Sequence, residues 1–163
     1  MKVVVIPVFN EEENLPILFE NIEKINRPEF TFIFVNDGSN DRTLEIINDI
    51  DIKVLSHEIN LGVGAAVQTG FDYVTKIPNA KAVITFDADG QHHVDDAVAM
   101  AKEILICDEG IIFGTRFPKH SKNIPKVKRI VLKLIARITD LVTGVTLSDA
   151  HNGLKAYKVS TIK

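Results

Sequence analysis

A single α/β domain, with a mainly parallel sheet and helices on both faces, is the fold class that this chain of 163 residues predicts. Three observations carry the expectation. Short β-branched runs alternate with helical apolar patterns as far as Gly114. No internal repeat and no linker rich in Gly, Pro or Ser divides the chain. Its residues are 45% hydrophobic and 25% charged, the balance of a core under a solvated surface. A domain of this size buries roughly 70% of the surface its unfolded chain exposes.

Val3–Val8 is the first strand, too short to be the apolar region of a signal peptide. Leu15, Leu18, Phe19, Ile22 and Ile25 then recur at helical spacing, with Asn10 and Glu13 placed for a capping box. Phe30–Val35 is the second strand, and Leu44, Ile46, Ile47 and Ile50 mark a second helix. Lys53–Ser56 is the third strand and Gly64–Thr75 the third helix. Ala82–Phe86 is the fourth strand. The fourth helix, Asp95–Ile106, is entered through polar and acidic residues that suit a helix N-terminus. Ile111–Gly114 closes the series. Phe117–Pro125, with two prolines and several basic residues, reads as a mobile loop over the site. A helical segment over 126–143 and a polar turn at Ser148–Gly153 follow. In this order, the loops after strands one, two and four converge on one edge of the sheet.

A lone cysteine, Cys107, excludes an internal disulfide and fits a reducing, cytoplasmic compartment. No apolar run reaches the ~18 residues of a membrane span. Charge is unevenly placed. Residues 116–137 hold eight Lys or Arg and no acid, leaving eleven cations against 22 acids elsewhere. Lys126, Arg129, Lys133 and Arg137 form one helical stripe, with Val127, Ile130, Val131, Leu134, Ile135 and Ile138 on the other side. Such a helix can lie on an anionic bilayer and gather phosphate head groups through Arg129 and Lys133. An ordinary helix with its apolar side in the core accounts for the pattern as well.

The polar residues concentrate in the loops. Ala82–Phe86 runs directly into Asp87-Ala88-Asp89-Gly90-Gln91, so two carboxylates stand at the carboxyl end of a buried strand. Residues i and i+2 on extended chain share a side, so both can reach one cation, and hard oxygen ligands suit Mg²⁺ or Mn²⁺. Gln91 adds a third oxygen. His92 and His93 lack the spaced partners of a zinc site. The first loop, Pro7 to Asn14, has no glycine and so is not a dinucleotide fingerprint; its acids can accept from a base or ribose, or simply match the helix dipole. Asp37, ending strand two, serves equally as an acceptor for a nucleobase N–H or as an Asp-Gly turn. Asn60-Leu61-Gly62-Val63-Gly64 offers backbone N–H groups at a helix start, next to a diphosphate or in a plain turn. Arg116 is placed to pair with a phosphate. Asp149 is a candidate base.

In this order, these segments resemble the family 2 glycosyltransferases, specifically the dolichyl- or polyprenyl-phosphate sugar transferases. The matches are Val5-Ile6-Pro7-Val8-Phe9-Asn10-Glu11-Glu12-Glu13-Asn14-Leu15, Val35-Asn36-Asp37-Gly38-Ser39 and Asn60-Leu61-Gly62. They continue through Asp87-Ala88-Asp89-Gly90-Gln91-His92, Gly114-Thr115-Arg116 and Ser148-Asp149 to Gly153-Leu154-Lys155-Ala156-Tyr157. The resemblance implies the Rossmann-like GT-A fold. Its nucleotide-binding half would be about residues 1–115, and its acceptor side 116–163, completed by chain beyond Lys163.

It further implies that Pro7, Phe9, Glu11 and Asp37 line the base and ribose, with Asn10, Gly62 and Asp87 also among the nucleotide-binding residues. Asp87, Asp89 and Gln91 would surround a divalent metal at the donor diphosphate. Arg116 would meet a phosphate and Asp149 the acceptor. Three positions depart from the family pattern. Asn36 replaces one acid of the second loop, Phe9 replaces Tyr, and Lys155, a further candidate for binding the phosphate or acceptor, replaces an Arg that would grip phosphate with two bonds.

The implied reaction is inverting transfer from a nucleotide-diphosphate sugar to an acceptor, a lipid phosphate before a glycan hydroxyl. Asp89 would act through the metal, and Asp149 as base where the acceptor is a hydroxyl. No nucleic-acid partner is expected. Two rivals remain. A nucleotide-sugar-binding fragment or subunit would bind without transferring. Phe86-Asp87-Ala88-Asp89-Gly90 is also similar to the D-x-D of haloacid-dehalogenase-like phosphohydrolases, whose nucleophile lies on the first strand.

Overall fold

A computed structural model describes residues 1–25, 28–89, 93–114 and 153–163. Gln91, His92, Arg116, Arg129, Lys133 and Asp149 lie outside the described residues, as do the basic loop, the 126–143 helix and most of the polar turn.

Six strands form one sheet: β1 Lys2–Val8, β2 Phe30–Asp37, β3 Lys53–His57, β4 Ala82–Thr85, β5 Ile111–Phe113 and β6 Lys155–Lys158. The helices are α1 Leu15–Ile25, α2 Thr43–Asn48, α3 Val63–Val74 and α4 Val94–Ile106. The sheet order is β3-β2-β1-β4-β6-β5. β1 runs parallel to β2 and β4, and β2 parallel to β3. The mainly parallel α/β architecture therefore stands as the sequence predicts it.

β1 is apolar at nearly every position because both of its faces are covered. Val4, Ile6 and Val8 belong to the core packed with Leu15 and Leu18 of α1, Ile47 of α2 and Ala97, Val98, Ala101 and Ile104 of α4. Val3 and Val5 point the other way, into a core with Ile33, Val35, Val83 and the α3 residues Ala66 and Val74. The period of two along the strand thus feeds two separate cores. In α4 the buried residues Val94, Ala97, Val98, Ala101 and Ile104 form a single stripe.

Several details depart from the sequence reading. β2 continues to Asp37 and β3 to His57, while β4 stops at Thr85 and β5 at Phe113. β6 was not anticipated. It enters antiparallel between β4 and β5, pairing with both. Its sequence, Lys-Ala-Tyr-Lys, buries fully only Ala156, so it carries no apolar run to announce a strand. The capping box is absent as well. Asn10 sits at φ 54°, and its side chain accepts from the Asn40 N–H at 2.8 Å, so it is turned to another loop.

Candidate functional site

The chain order reverses at β1. From there β2 and β3 extend one way, and β4 starts the other. A crevice outside the carboxyl ends of the strands at such a switch point is where open α/β sheets bind ligands. A cleft of about 280 Å³ occupies that position, close to the lower limit of small-molecule sites. Pro7 and Val8 enter it from the end of β1, Phe9 and Glu11 from the loop that follows, and Asp37 from the end of β2. Asn60 comes from the β3–α3 loop, Val63 from the first turn of α3, and Asp87, Ala88 and Asp89 from the loop after β4. The expected convergence of these loops is what the fold provides.

The first two loops are laced together. The Asn10 N–H donates to Ser39 Oγ at 3.0 Å and the Glu11 N–H to Thr43 Oγ1 at 2.7 Å. The Glu12 N–H reaches Asp41 Oδ2 at 3.2 Å, and the Arg42 N–H returns to Glu12 Oε2 at 2.9 Å. Burial by itself would raise the Asp41 pKa, but bonds from Thr43 and from the Glu12 N–H outweigh it and hold the group below its usual value. Asn10, expected among the nucleotide ligands, works inside this lacing and is not a lining residue of the cleft. Glu11 lines the cleft while its Oε2 accepts from Asn14 Nδ2 at 2.6 Å. Phe9 is 40% exposed and so presents a ring to the cleft that a planar base can cover.

Asp37 is only 2% exposed. Its Oδ1 accepts from the Leu61 N–H at 3.0 Å and lies 2.7 Å from His57 Nδ1. Its Oδ2 accepts from the Gly62 N–H at 2.8 Å. A carboxylate only accepts, so His57 turns a proton on Nδ1 to Asp37, while its Nε2 lies 2.9 Å from the Thr69 hydroxyl. Burial would raise the Asp37 pKa, but the Leu61 N–H, the His57 ring and the Gly62 N–H together bring it below its usual value. Gly38, at φ 69°, lets the chain turn tightly against the backbone of Ile59 and Asn60, where a Cβ has no room. One consequence bears on the sequence reading. The Gly62 N–H, expected beside a diphosphate, is already given to Asp37 and, at 3.0 Å, to Asn60 Oδ1.

His57 and Thr69 have no counterpart in the sequence reading. Asp37 and His57 lie 20 residues apart, and only the β2–β3 register, which pairs them directly, brings them together. A histidine closing a strand beside one that closes in Asp was the available signal.

At the other end of the cleft, Phe86 and Ala88 are buried at 2% and 3%, while Asp87 is half-buried and Asp89 exposed. Asp87 and Asp89 both line the cleft, although β4 ends at Thr85 and the chain bends at Ala88 and Asp89, so their meeting there does not come from extended strand. Among the described residues no group of three or more His, Cys, Asp or Glu surrounds a single point. Two hard-oxygen ligands facing one cleft do match a divalent cation whose remaining ligands come from a bound diphosphate and water. Lys155 is placed elsewhere. It lies in β6 beside Thr85 and Phe113, with Nζ 5.7 Å from the Phe113 ring centroid, and is not a lining residue.

Residues 3–163 match the family described as Glycosyl transferase family 2. A UDP-N-acetylglucosamine–dolichyl-phosphate N-acetylglucosaminyltransferase of Methanococcus voltae is 30% identical over 98% of this chain and 70% of its own length. A dolichyl-phosphate beta-glucosyltransferase of Trichomonas vaginalis is 32% identical over 90% of this chain and 48% of its own length. Among solved structures, glucosyl-3-phosphoglycerate synthase from Mycobacterium tuberculosis, crystallised with Mn²⁺ and uridine diphosphate, superposes with a TM-score of 0.67 at 18% identity. That match covers 98% of this chain and 57% of the synthase, and it shows the shared GT-A fold. The chain thus spans about half to two-thirds of the length of these proteins. With the match running from the first strand to the last residue, and with relatives that bear the sequence likeness over nearly the whole chain, this protein belongs to the family 2 glycosyltransferases.

Proposed function

We propose that this chain carries the donor site of an inverting transferase that moves a sugar from a nucleotide-diphosphate sugar to a polyprenyl or dolichyl phosphate. Residues 1–115 form the donor half and 116–163 part of the acceptor side. The observation that carries the reading is the meeting of Phe9, Asp37, Asp87 and Asp89 in one cleft at the switch point of the sheet. Supporting it are relatives named for dolichyl-phosphate acceptors and a neighbour of the same fold holding Mn²⁺ and uridine diphosphate.

In this reading Phe9 and Pro7 cover the base, and Asp37 shapes its pocket by fixing the β3–α3 loop. Asp87 and Asp89, with Gln91, hold a divalent cation, Mg²⁺ or Mn²⁺. When bound, that cation supplies positive charge against the leaving diphosphate. A lipid monophosphate, with a second pKa near ~6, is largely ionised at neutral pH and attacks without a base. Arg116, Arg129 and Lys133 then gather acceptor phosphates, and Asp149 serves as base for a hydroxyl acceptor. The work takes place at the cytoplasmic face of a membrane, with the basic 116–137 segment as the peripheral contact. No helix among the described residues is long and apolar enough to cross a bilayer.

A thermal-unfolding screen with UDP, GDP, CDP and TDP, each with and without Mn²⁺, tests the reading. One nucleotide at ~100 times its dissociation constant stabilises by about 2.7 kcal/mol, a shift of several degrees. Absence of a shift with all four overturns it. The second reading is donor binding without transfer. Nucleotide binding with no sugar passed to dolichyl phosphate in vesicles would select it. Family membership leaves the phosphohydrolase alternative without support.

A further inference from the structure

Just before β6, Gly153 comes up against Asp87, a lining residue of the cleft. β6 pairs with β4 through Thr85 opposite Lys155, and two more residues of that register set Gly153 opposite Asp87. A Cβ added to Gly153 would land on the Asp87 carboxylate, nearest Oδ2. One of the two must yield. The backbone at Gly153 is pinned: its carbonyl accepts the Thr85 hydroxyl at 2.6 Å, and the Leu154 carbonyl accepts the Gly114 N–H at 2.9 Å. Leu154 is buried, and β6 is paired on both sides. The Asp87 main chain is equally held, between buried Phe86 and Ala88, with the Phe86 N–H on the Val5 carbonyl at 3.0 Å. Only rotation of the Asp87 side chain is left, so a methyl at 153 moves the carboxylate out of its rotamer.

We infer that Gly153 is a positioning residue, whose bare Cα lets the Asp87 carboxylate lie against β6 and face the cleft beside Asp89. The inference rests on the proposed role of Asp87 as a cation ligand on the donor side. Thr85 belongs to the same device, because its hydroxyl fixes the Gly153 carbonyl. The strand that returns from the acceptor side therefore sets the aim of a donor-side ligand.

The test uses Gly153→Ala, Asp87→Ala and the double variant, in two measurements. Calorimetric titration of UDP and GDP, in Mn²⁺ and in EDTA, reads the ligand. Gly153→Ala is expected to weaken the Mn²⁺-dependent binding by about 10–100-fold while leaving binding in EDTA at the wild-type level. Unfolding midpoints without ligand read the contact. Gly153→Ala should lower the midpoint in the wild-type background and clearly less beside Asp87→Ala, where the carboxylate is gone. Wild-type Mn²⁺ dependence in Gly153→Ala, or equal loss of midpoint in both backgrounds, overturns the inference. Should Gly153→Ala fail to fold alone, folding must return in the double variant, and its failure too is a refutation. A wild type that binds neither nucleotide sinks the functional reading instead, and the midpoints still decide the contact.

Discussion

Asp37 and Asp89 stand at opposite ends of one cleft, and the fold treats them differently. Asp37 is buried and accepts two backbone N–H groups and a histidine, so its charge holds the β3–α3 loop to β2. Asp89 is exposed at the end of a strand whose neighbouring side chains, Phe86 and Ala88, fill the core. The first carboxylate is part of the structure that shapes the pocket. The second is presented to whatever enters it. Stability and ligand binding should therefore separate cleanly between the two ends.

The largest effect falls on Asp37→Ala, which strands the Leu61 N–H and the His57 ring and leaves the Gly62 N–H with Asn60 Oδ1 alone. A loss of about 3 kcal/mol is expected, roughly 6–12 °C in the unfolding midpoint. Urea titration checks it, and a variant within error of wild type would break the comparison at its buried end.

The same carboxylate gives a pH signature. Its folded-state pKa is depressed, so its contribution is complete above the unfolded value of about 3.9 and fades as pH falls through the folded one. The stability gap between wild type and Asp37→Asn should accordingly close as pH falls below about 4. A gap that widens in acid would show the sign to be wrong.

His57→Ala comes next, at about 1–2 kcal/mol, from loss of the bonds to Asp37 and Thr69. In a cycle with Thr69→Val the coupling should be about 0.5–1 kcal/mol, since both act on one ring. Additive losses would remove Thr69 from the clamp. The smallest effect belongs to the exposed Arg42–Glu45 pair at 2.9 Å, where Arg42→Gln should leave the midpoint within error.

How much of this was legible in the sequence differs between the same two ends. That Asp87 and Asp89 stand at the edge of the sheet was legible from the strand-forming run before them, but the strand ends at Thr85 and a bend, in place of a period of two, carries both to the cleft. The Asp37 clamp does not, because its partner lies 20 residues away and meets it only through strand register. Asn10 misled for a local reason: a left-handed backbone turned its side chain to Asn40, where helix capping had been expected. β6 stayed hidden because a four-residue strand with lysine at both ends buries little and reads as loop. Gly153 had a place in the motif, but its contact with Asp87 exists only once β6 is laid beside β4. Gln91, Arg116, Arg129, Lys133 and Asp149 fall outside the described residues and stand as proposals.

The most direct test of the account is Asp89→Asn, titrated by calorimetry with the nucleoside diphosphate that the screen selects, in Mn²⁺ and in EDTA. The account predicts a far smaller change in unfolding midpoint than Asp37→Ala gives, unchanged binding in EDTA, and loss of the gain that Mn²⁺ gives the wild type. Retention of that gain, or a loss of stability as large as that of Asp37→Ala, would contradict it.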